Sequence, residues 1–177
     1  MIDALTMLHL VDDVKGSEGF RARPYLCPTG HCSIGYGTNL EAHPEFIPQA
    51  LGAITELVRF GHLKGRYLVD RLIAAGMTWN KEQSEAALVT VLDACERSLN
   101  RALPWVKDIE PARQAVLLDM SYNMGVSTLL GFKKTLAFVQ ARDWENAADE
   151  MLRSRWAQQV KGRAIKMSNW MRLGRMV

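Results

Sequence analysis

The chain has 177 residues and a mass of 19.9 kDa, which is enough to bury a core as one domain or as two small lobes. Its 48% hydrophobic and 23% charged residues are ordinary for a globular protein, and its three cysteines are too few for a disulfide framework. No run of about 18 apolar residues occurs, so no stable membrane insertion is expected. Aspartates at positions 3, 12 and 13 interrupt the N-terminal apolar pattern. They argue against a signal peptide or signal anchor and predict a protein made in the cytoplasm.

The net charge of +3 and the pI near 8.8 are mild, but positive charge gathers in the last third of the chain. The basic residues there are Arg153, Arg155, Lys161, Arg163, Lys166, Arg172 and Arg175. Such a cluster can bind nucleic acid, anionic lipid or an anionic cell-wall polymer. It can also be a set of solvated helix faces, which is the simpler interpretation when charge is the only observation.

The N-terminal apolar residues recur at helical spacing and predict a first helix over residues 3–16. Gly16 is expected to loosen the chain. Glu18 should then fall at or just past the end of this helix.

Residues 21–36 change in character and predict a β-hairpin, since prolines and Gly30 punctuate a segment with strand-forming aromatic and branched residues. Cys27 and Cys32 bracket the turn, which has the sequence PTGH. The glycine alternation that follows, IGYGTNL, suggests backbone that lies close to another group, substrate being one candidate.

The middle of the chain is predicted to be helical. Residues 45–76 predict one or two short helices broken at Gly61 and Gly65. A capping-box pattern at residues 80–83 then opens a long amphipathic helix over residues 81–103, which ends before a proline. At about 1.5 Å per residue this helix is over ~30 Å long and could join two lobes.

The remaining residues also predict helices. Pro111 fits the first position of a helix, and the run AVLLDMSYNM is apolar almost all round, which indicates a central buried helix ended by Gly125. Cys95 lies in an apolar helical run and is expected to be a buried core thiol. Further helices are predicted over residues 127–130, 133–141, 144–153 and 164–173.

Together these elements predict a mainly helical α+β protein that forms a single domain over residues 1–177. A small mixed lobe containing the hairpin is expected over residues 18–78, followed by the linking helix over residues 81–103. The helical lobe is expected to comprise residues 104–177 together with the first helix, residues 3–16.

A carboxylate, a thiol and a hydroxyl follow one another at short spacing: Glu18, eight residues, Cys27, five residues, Ser33. Cleavage of a glycosidic bond needs an acid that protonates the leaving oxygen and a second group on the opposite face. Burial and the negative end of a helix both favour a protonated carboxyl, which suits Glu18 to the acid role. A single glutamate near a helix end is more often a solvated surface residue, so the wider pattern has to decide.

That wider pattern resembles the signature of phage-type lysozymes (glycoside hydrolase family 24, the T-even phage lysozyme family). In that signature Glu is followed after eight residues by Asp or Cys, after five more by Thr, and then by a glycine-alternating strand. Downstream segments also resemble the family in order and approximate spacing: WNKEQ at 79–83, RQAVLLDMSYNMG at 113–125, GF at 131–132, DWENAA at 143–148, SRW at 154–156 and GRA at 162–164. The resemblance covers most of the chain and implies a lysozyme-like two-lobed fold with a substrate cleft.

The resemblance also implies a role for individual residues. Glu18 takes the place of the general acid, Cys27 the place most often held by aspartate, and Ser33 that of the threonine. Arg163 falls where an arginine pairs with the catalytic glutamate. The residues that fall where the family lines its sugar cleft are Asn39, Tyr122, Asn123, Thr135 and Glu150. Of these, Glu150 fits least well, because a charged carboxylate would alter contacts with sugar hydroxyls.

The chain departs from the family pattern in two further ways. Ser33 keeps the hydroxyl of threonine, and so can still orient a water, but it loses a methyl group. Residues 41–76 exceed what the family core needs, so the small lobe is expected to be enlarged.

Cys27 has three interpretations. It can be the second catalytic group, which requires a tuned thiol because a free thiol with a pKa of about 8.5 is only a few per cent thiolate at pH 7. His31 could lower that pKa if its ring folds back over the turn. Alternatively, Cys27 is a packing residue, or it forms a disulfide with Cys32 across the hairpin.

The leading functional hypothesis is an endolysin muramidase that hydrolyses the β-1,4 bond between N-acetylmuramic acid and N-acetylglucosamine in bacterial peptidoglycan, for host cell lysis. The alternatives are a lytic transglycosylase that forms 1,6-anhydro products and a catalytically silent wall-binding protein on the same fold. Peptidoglycan is the expected partner, nucleic acid is not, and the protein is expected to be a monomer that reaches the periplasmic wall with the help of a holin.

No metal and no other cofactor are expected, because His31, His43 and His62 lack the arrangement of metal ligands. The five tryptophans are expected to be core and lobe-joining aromatics rather than sugar platforms.

Overall fold

The computed structural model describes residues 2–47, 60 and 62–177. Its elements are α1 (Ala4–Glu18), β1 (Arg21–Leu26), β2 (Cys32–Gly35), β3 (Thr38–Asn39), α2 (Gly65–Ala74), α3 (Lys81–Ala102), a 3-10 helix (Pro104–Asp108), α4 (Pro111–Met124), α5 (Val126–Leu129), α6 (Lys133–Gln140), α7 (Trp144–Leu152), α8 (Arg155–Val160) and α9 (Gly162–Leu173). These helices and a three-stranded antiparallel sheet confirm the predicted mainly helical α+β fold. Within the described ranges, no helix combines the length and the apolar character needed to cross a membrane.

The residues group into two compact units. The hairpin unit is Val14–Val91, and the helical unit combines Met1–Asp13 with Leu92–Val177. Both boundaries fall inside helices, because α1 and α3 each have residues in the two units.

Helix α1 ends later than predicted. Gly16 stays helical, and Gly19, whose φ is 69°, adopts the left-handed conformation that commonly ends a helix. The N–H of Gly19 still donates to the carbonyl of Lys15 at 3.2 Å. The predicted end at residue 16 is therefore wrong by two residues, and Glu18 is the last residue of α1.

The predicted hairpin is confirmed, and the sheet has a further strand. β1 and β2 are antiparallel, with Tyr25 opposite Ser33 and Leu26 opposite Cys32. β3, which has only two residues, pairs with the other edge of β2 and places Asn39 opposite Ser33. Because β2 is the central strand and is buried along its whole length, Ser33 is held on both sides by neighbouring strands.

The glycine at the end of β2 lies against protein. Gly35 has a φ of 65°, and a Cβ at this position would lie 2.6 Å from Ser84 Oγ and 3.1 Å from the Trp79 ring. Only a residue without a Cβ allows β2 to approach the start of α3 this closely. At Gly35, the close neighbour predicted from the glycine alternation is thus α3 within the same unit.

The rest of the hairpin unit packs around the sheet. Helix α2 lies against β1 and β2 and buries Leu68 and Leu72. It begins at Gly65, one of the two predicted breaks, where φ is 53°. The other predicted break, Gly61, and residues 48–59 lie outside the described residues.

The capping box before α3 is confirmed. The N–H of Gln83 donates to Asn80 Oδ1 at 2.7 Å, and the N–H of Asn80 donates to Gln83 Oε1 at 2.9 Å. The helix that follows ends at Ala102, one residue before the predicted end.

The helical unit is built around α4, whose residues from Ala112 to Ser121 are all buried. Pro111 is the first residue of α4, and Gly125 ends it, as predicted. Helix α9 packs against α7 and α4, and α6 packs against α7. Two short elements were not predicted: the 3-10 helix after α3, and α8, which carries the buried Trp156.

Two side-chain expectations need correction. Cys95 is only partly buried, although burial still raises the pKa of its thiol. The basic residues of the last third are not simply solvated, since several form ion pairs within the helical unit. These pairs are Arg153–Glu150, Arg163–Asp119, Lys166–Asp13 and Arg172 with both Glu145 and Asp149. Burial of Trp79, Trp156 and Trp170, each 4% exposed, agrees with their predicted place in the core.

Candidate active site

Glu18 lies at the C-terminal end of α1 and is half-buried. Only two residues separate Glu18 from the start of β1, so the carboxylate stands at the junction between helix and sheet. Burial raises the pKa of Tyr25 on β1, and the charges of Glu18 and Cys27 raise it further, while Arg21 lowers it. The hairpin unit therefore brings Glu18 and Cys27 within electrostatic range of the same phenol. Sequence reasoning did not single out Tyr25.

The thiol of Cys27 is surrounded by hydrogen-bond donors. Desolvation raises the pKa of Cys27, but four hydrogen bonds outweigh it and hold the pKa below its ordinary value. The donors are the Thr29 hydroxyl, the backbone N–H groups of His31 and Thr29, and the Ser33 hydroxyl. Such donors stabilise the thiolate, which is the nucleophilic and basic form of cysteine.

The loop that carries Cys27 is closed by its own backbone. The N–H of Cys27 donates to the carbonyl of His31, and the N–H of Gly30 donates to the carbonyl of Cys27, each at 2.9 Å. Cys27 therefore pairs with His31 across the loop, while Cys32 pairs with Leu26. All three cysteines are free thiols. Burial raises the pKa of Cys32 to about 12, with further contributions from the charges of Glu41 and Cys27.

The ring of His31 is directed to Glu41 rather than to the thiol, contrary to the suggestion that it folds over the turn. Its Nδ1 lies 3.2 Å from Glu41 Oε2. Glu41 also accepts hydrogen bonds at 2.8 Å from the backbone N–H groups of Cys32 and Gly65. Burial raises the pKa of Glu41, but these hydrogen bonds outweigh it and hold the pKa below its ordinary value. The carboxylate thus fastens the hairpin to the start of α2.

Ser33 and Asn39 occupy neighbouring positions on the sheet. Ser33 is 3% exposed, and its hydroxyl contributes to the lowered pKa of Cys27, so the residue supports the thiol from within the sheet. Asn39 Oδ1 accepts the backbone N–H groups of Glu41 and Ala42 at 2.9 and 3.2 Å. The side-chain carbonyl of Asn39 thus stabilises the turn after β3, which leaves the side-chain amide nitrogen as the group that could donate to a ligand.

In the helical unit, Thr135 and Glu150 line a pocket of about 500 Å³ together with Phe132 and Trp156. Basic residues contribute to the same pocket: Lys133, Lys134, Arg153 and Arg155. Glu150 is paired with Arg153 at 3.1 Å, so its charge is partly offset by a neighbour. Two of the predicted sugar-contacting residues therefore share one concave site.

Tyr122 and Asn123 lie at the end of α4. Tyr122 is half-buried, and Asn123 is exposed. The indole N–H of Trp156 donates to Asn123 Oδ1 at 3.0 Å. This bond orients the amide of Asn123 and connects α4 to α8, which contributes to the pocket.

Arg163, in the first turn of α9, is held by a buried carboxylate. Its Nε lies 3.2 and 3.1 Å from the two carboxylate oxygens of Asp119, and its Nη2 lies 2.6 Å from Oδ1. The side chain of Asp119 is fully buried, and that of Arg163 is 8% exposed. A bidentate geometry of this kind fixes the plane of a guanidinium. Sequence reasoning did not single out Asp119, although a charged residue in an apolar helix is a readable signal.

Comparison with known proteins identifies the family of the chain. The sequence profile of the family described as phage lysozyme matches residues 15–168. The chain belongs to the phage lysozyme family. It is therefore a glycoside hydrolase with a lysozyme-type, peptidoglycan-hydrolysing function.

Individual phage lysozyme relatives match over most of the chain. Probable T4-type lysozyme 1 of Dictyostelium discoideum is 27% identical over 88% of this chain and 89% of its own length. Probable T4-type lysozyme 2 of the same organism is 25% identical over 89% of this chain and 90% of its own length. The pre-baseplate central spike protein Gp5 of Enterobacteria phage T4 is 21% identical over 91% of this chain but only 27% of its own length. The similarity to Gp5 thus covers only part of that protein.

Proposed function

We propose that this phage lysozyme is a muramidase that hydrolyses the β-1,4 bond between N-acetylmuramic acid and N-acetylglucosamine, with Glu18 as the general acid. The observation that carries the proposal is the donor-lined thiol of Cys27 in the same unit as Glu18. Hydrolysis needs an acid and a second, basic or nucleophilic group, and a thiol with a lowered pKa can be that second group.

The reaction begins when Glu18 protonates the glycosidic oxygen as the bond to the anomeric carbon breaks. Cys27, as the thiolate, then acts by one of two routes. If it removes a proton from a water on the opposite face, the anomeric configuration inverts. If its sulfur attacks the anomeric carbon, a thioglycosyl intermediate forms, and its hydrolysis retains the configuration. The anomer released first, followed by proton NMR, distinguishes the routes.

The other site residues support substrate and acid in this proposal. Thr135 and Glu150 bind the sugar chain in the pocket of the helical unit. Tyr122 and Asn123 of the helical unit, and Asn39 of the hairpin unit, are further proposed sugar-binding residues. The basic residues of that pocket, Lys133, Lys134, Arg153 and Arg155, suit a polymer that carries carboxylates. Arg163, held by Asp119, is the proposed partner of Glu18.

A second candidate activity is lytic transglycosylation, in which the muramic acid hydroxyl closes a 1,6-anhydro ring. The observation that favours it is the absence of a carboxylate at position 27, since one acid can suffice for this reaction. Mass spectrometry of released muropeptides separates the two activities. Products lighter by one water (about 18 Da) than the hydrolysis products would contradict the muramidase proposal and support transglycosylation.

The decisive experiment compares the wild type with Glu18→Gln, Cys27→Asp, Cys27→Ser and Cys27→Ala in the clearing of purified cell walls. We expect Glu18→Gln to abolish clearing, Cys27→Asp to retain much of it and Cys27→Ser to retain little. A wild-type protein that binds walls without clearing them would contradict the muramidase proposal and support a catalytically silent wall-binding protein. Full activity of Cys27→Ala would show that Cys27 is only a packing residue.

We further propose that the protein acts in host cell lysis as a monomer, made in the host cytoplasm and reaching the periplasmic wall after a holin opens the membrane. Lysis timing in cells that express the protein with and without a holin tests this. Lysis that is equally fast without the holin would contradict it.

A further inference from the structure

The strongest feature outside the residues already assigned is the hydroxyl of Thr29. Its Oγ1 lies 3.0 Å from the Sγ of Cys27, two residues earlier in the chain. We propose that Thr29 is a positioning residue that holds Cys27 in its reactive form and orientation. This inference rests on the proposed function, in which Cys27 is the second catalytic group.

The loop fixes the distance between the two side chains. The backbone N–H of Cys27 donates to the carbonyl of His31, and the N–H of Gly30 donates to the carbonyl of Cys27. These two hydrogen bonds close the loop around Thr29. Gly30 has a φ of 85°, which lets the chain turn back at this point. Because threonine is branched at Cβ, its hydroxyl also has few allowed orientations. Thr29 therefore presents a donor to the sulfur without further ordering.

The charges around the thiol make this donor important. None of the neighbouring side chains Tyr25, Cys32 and Glu41 carries a positive charge that would stabilise a thiolate. Glu18 and Cys27 both raise the pKa of the Tyr25 phenol, so Glu18 adds a further negative charge near the loop. The ring of His31 is engaged with Glu41, and the guanidinium of Arg21 lies over the Tyr25 ring, 4.3 Å from its centre. Among the described residues, the influences that lower the pKa of Cys27 are all hydrogen bonds, and the Thr29 hydroxyl is the largest of them.

Packing does not account for Thr29. The residue is exposed, so its side chain contributes little to the core of the hairpin unit. The other donors are two backbone N–H groups and the hydroxyl of Ser33, which is buried in the central strand. Thr29 is thus the donor that can be removed with the least disturbance of the fold.

The test measures the thiol directly as well as activity. Thr29→Val keeps the shape and removes the hydroxyl, and Thr29→Ser restores the hydroxyl. The rate of Cys27 alkylation by iodoacetamide is followed against pH, with the modified peptide quantified by mass spectrometry so that Cys32 and Cys95 do not contribute. We expect Thr29→Val to raise the apparent pKa of Cys27 by about one unit, a roughly tenfold loss of thiolate at neutral pH.

Wall clearing by the same variants completes the test. Thr29→Val should lower kcat by about tenfold with little change in KM, and Thr29→Ser should recover most of both readouts. Thr90→Val, the same substitution at an exposed position of α3, is the matched control and should change neither.

An alkylation profile of Thr29→Val that coincides with that of the wild type would overturn the proposal. So would a shifted profile with an unchanged kcat, since the thiolate would then not be used in catalysis. Failure of the proposed function is separate, because it appears as a wild type that clears no walls or as a fully active Cys27→Ala.

Discussion

Gly35 offers a sharp test of how the site-bearing sheet is anchored. The residue ends β2, two positions after Ser33, and an added Cβ would lie 2.6 Å from Ser84 Oγ and 2.8 Å from Ser84 Cβ. Ser84 is fully buried on α3, and Trp79 lies 3.1 Å from the same Cβ position. Gly35→Ala therefore requires a shift of either β2 or α3, because no flexible side-chain end can move aside.

The expected loss of stability has two parts. The first is the cost of a left-handed conformation for a residue with a Cβ, about 1–2 kcal/mol. The second is overpacking against Ser84 and Trp79, about 1–3 kcal/mol. Together they predict that Gly35→Ala lowers the free energy of unfolding by about 2–5 kcal/mol.

Urea unfolding followed by circular dichroism measures this loss, and Gly76→Ala is the matched control. Gly76 has a φ of 78°, but a Cβ there would have no neighbour within 4 Å, so only the conformational cost applies. The difference between the two variants isolates the contact with α3. Equal destabilisation by the two substitutions would refute the reasoning, because it would show that β2 and α3 can separate without cost.

Three further predictions concern residues that each stabilise one of the two units from within. The pKa of Glu41 in the folded protein lies below its ordinary value. Its contribution to stability is therefore fully present above about pH 5 and is lost as the pH falls through the folded pKa. In Glu41→Gln, the free energy of unfolding should no longer fall with pH over this range. Asp119→Ala should lower the unfolding free energy by about 3 kcal/mol, since it removes a fully buried carboxylate from Arg163; a loss under ~1 kcal/mol in urea unfolding would contradict this. Asn80→Ala should cost about 1 kcal/mol by removing one half of the capping box, measured as a shift in Tm.

The fold was predictable where local rules are strong. The capping box at Asn80 and the proline that begins α4 each depend on neighbouring residues, and both were placed correctly. The two-residue strand β3 was missed because it is too short to show an alternation and exists only through its pairing with β2. Helix α8 was missed because six residues show little periodicity, although Ser154, which caps it by accepting the Ala157 N–H, was a readable signal.

The site was predictable only to the level of residue type. The spacing of Glu18 and Cys27 predicts both groups, but spacing does not say which side chains turn toward the thiol. By charge, His31 was the plausible partner of the Cys27 thiol, yet its ring contacts Glu41, ten residues later in the chain. Thr29 was overlooked because a threonine in a turn is common, and its contact depends on how the loop closes. These side-chain choices follow from tertiary contacts that a linear pattern does not contain.

The role of Thr29 should depend on the residue at position 27. A carboxylate is ionised at neutral pH without assistance, whereas a thiol is not, so a hydroxyl that stabilises the anion matters more for Cys27 than it would for aspartate. A double-mutant cycle tests this. Thr29→Val should lower wall clearing by about tenfold in the wild type but by less than about threefold in a Cys27→Asp background. An equal loss in both backgrounds would mean that Thr29 acts on the loop as a whole, and it would remove the link between the hydroxyl and the cysteine.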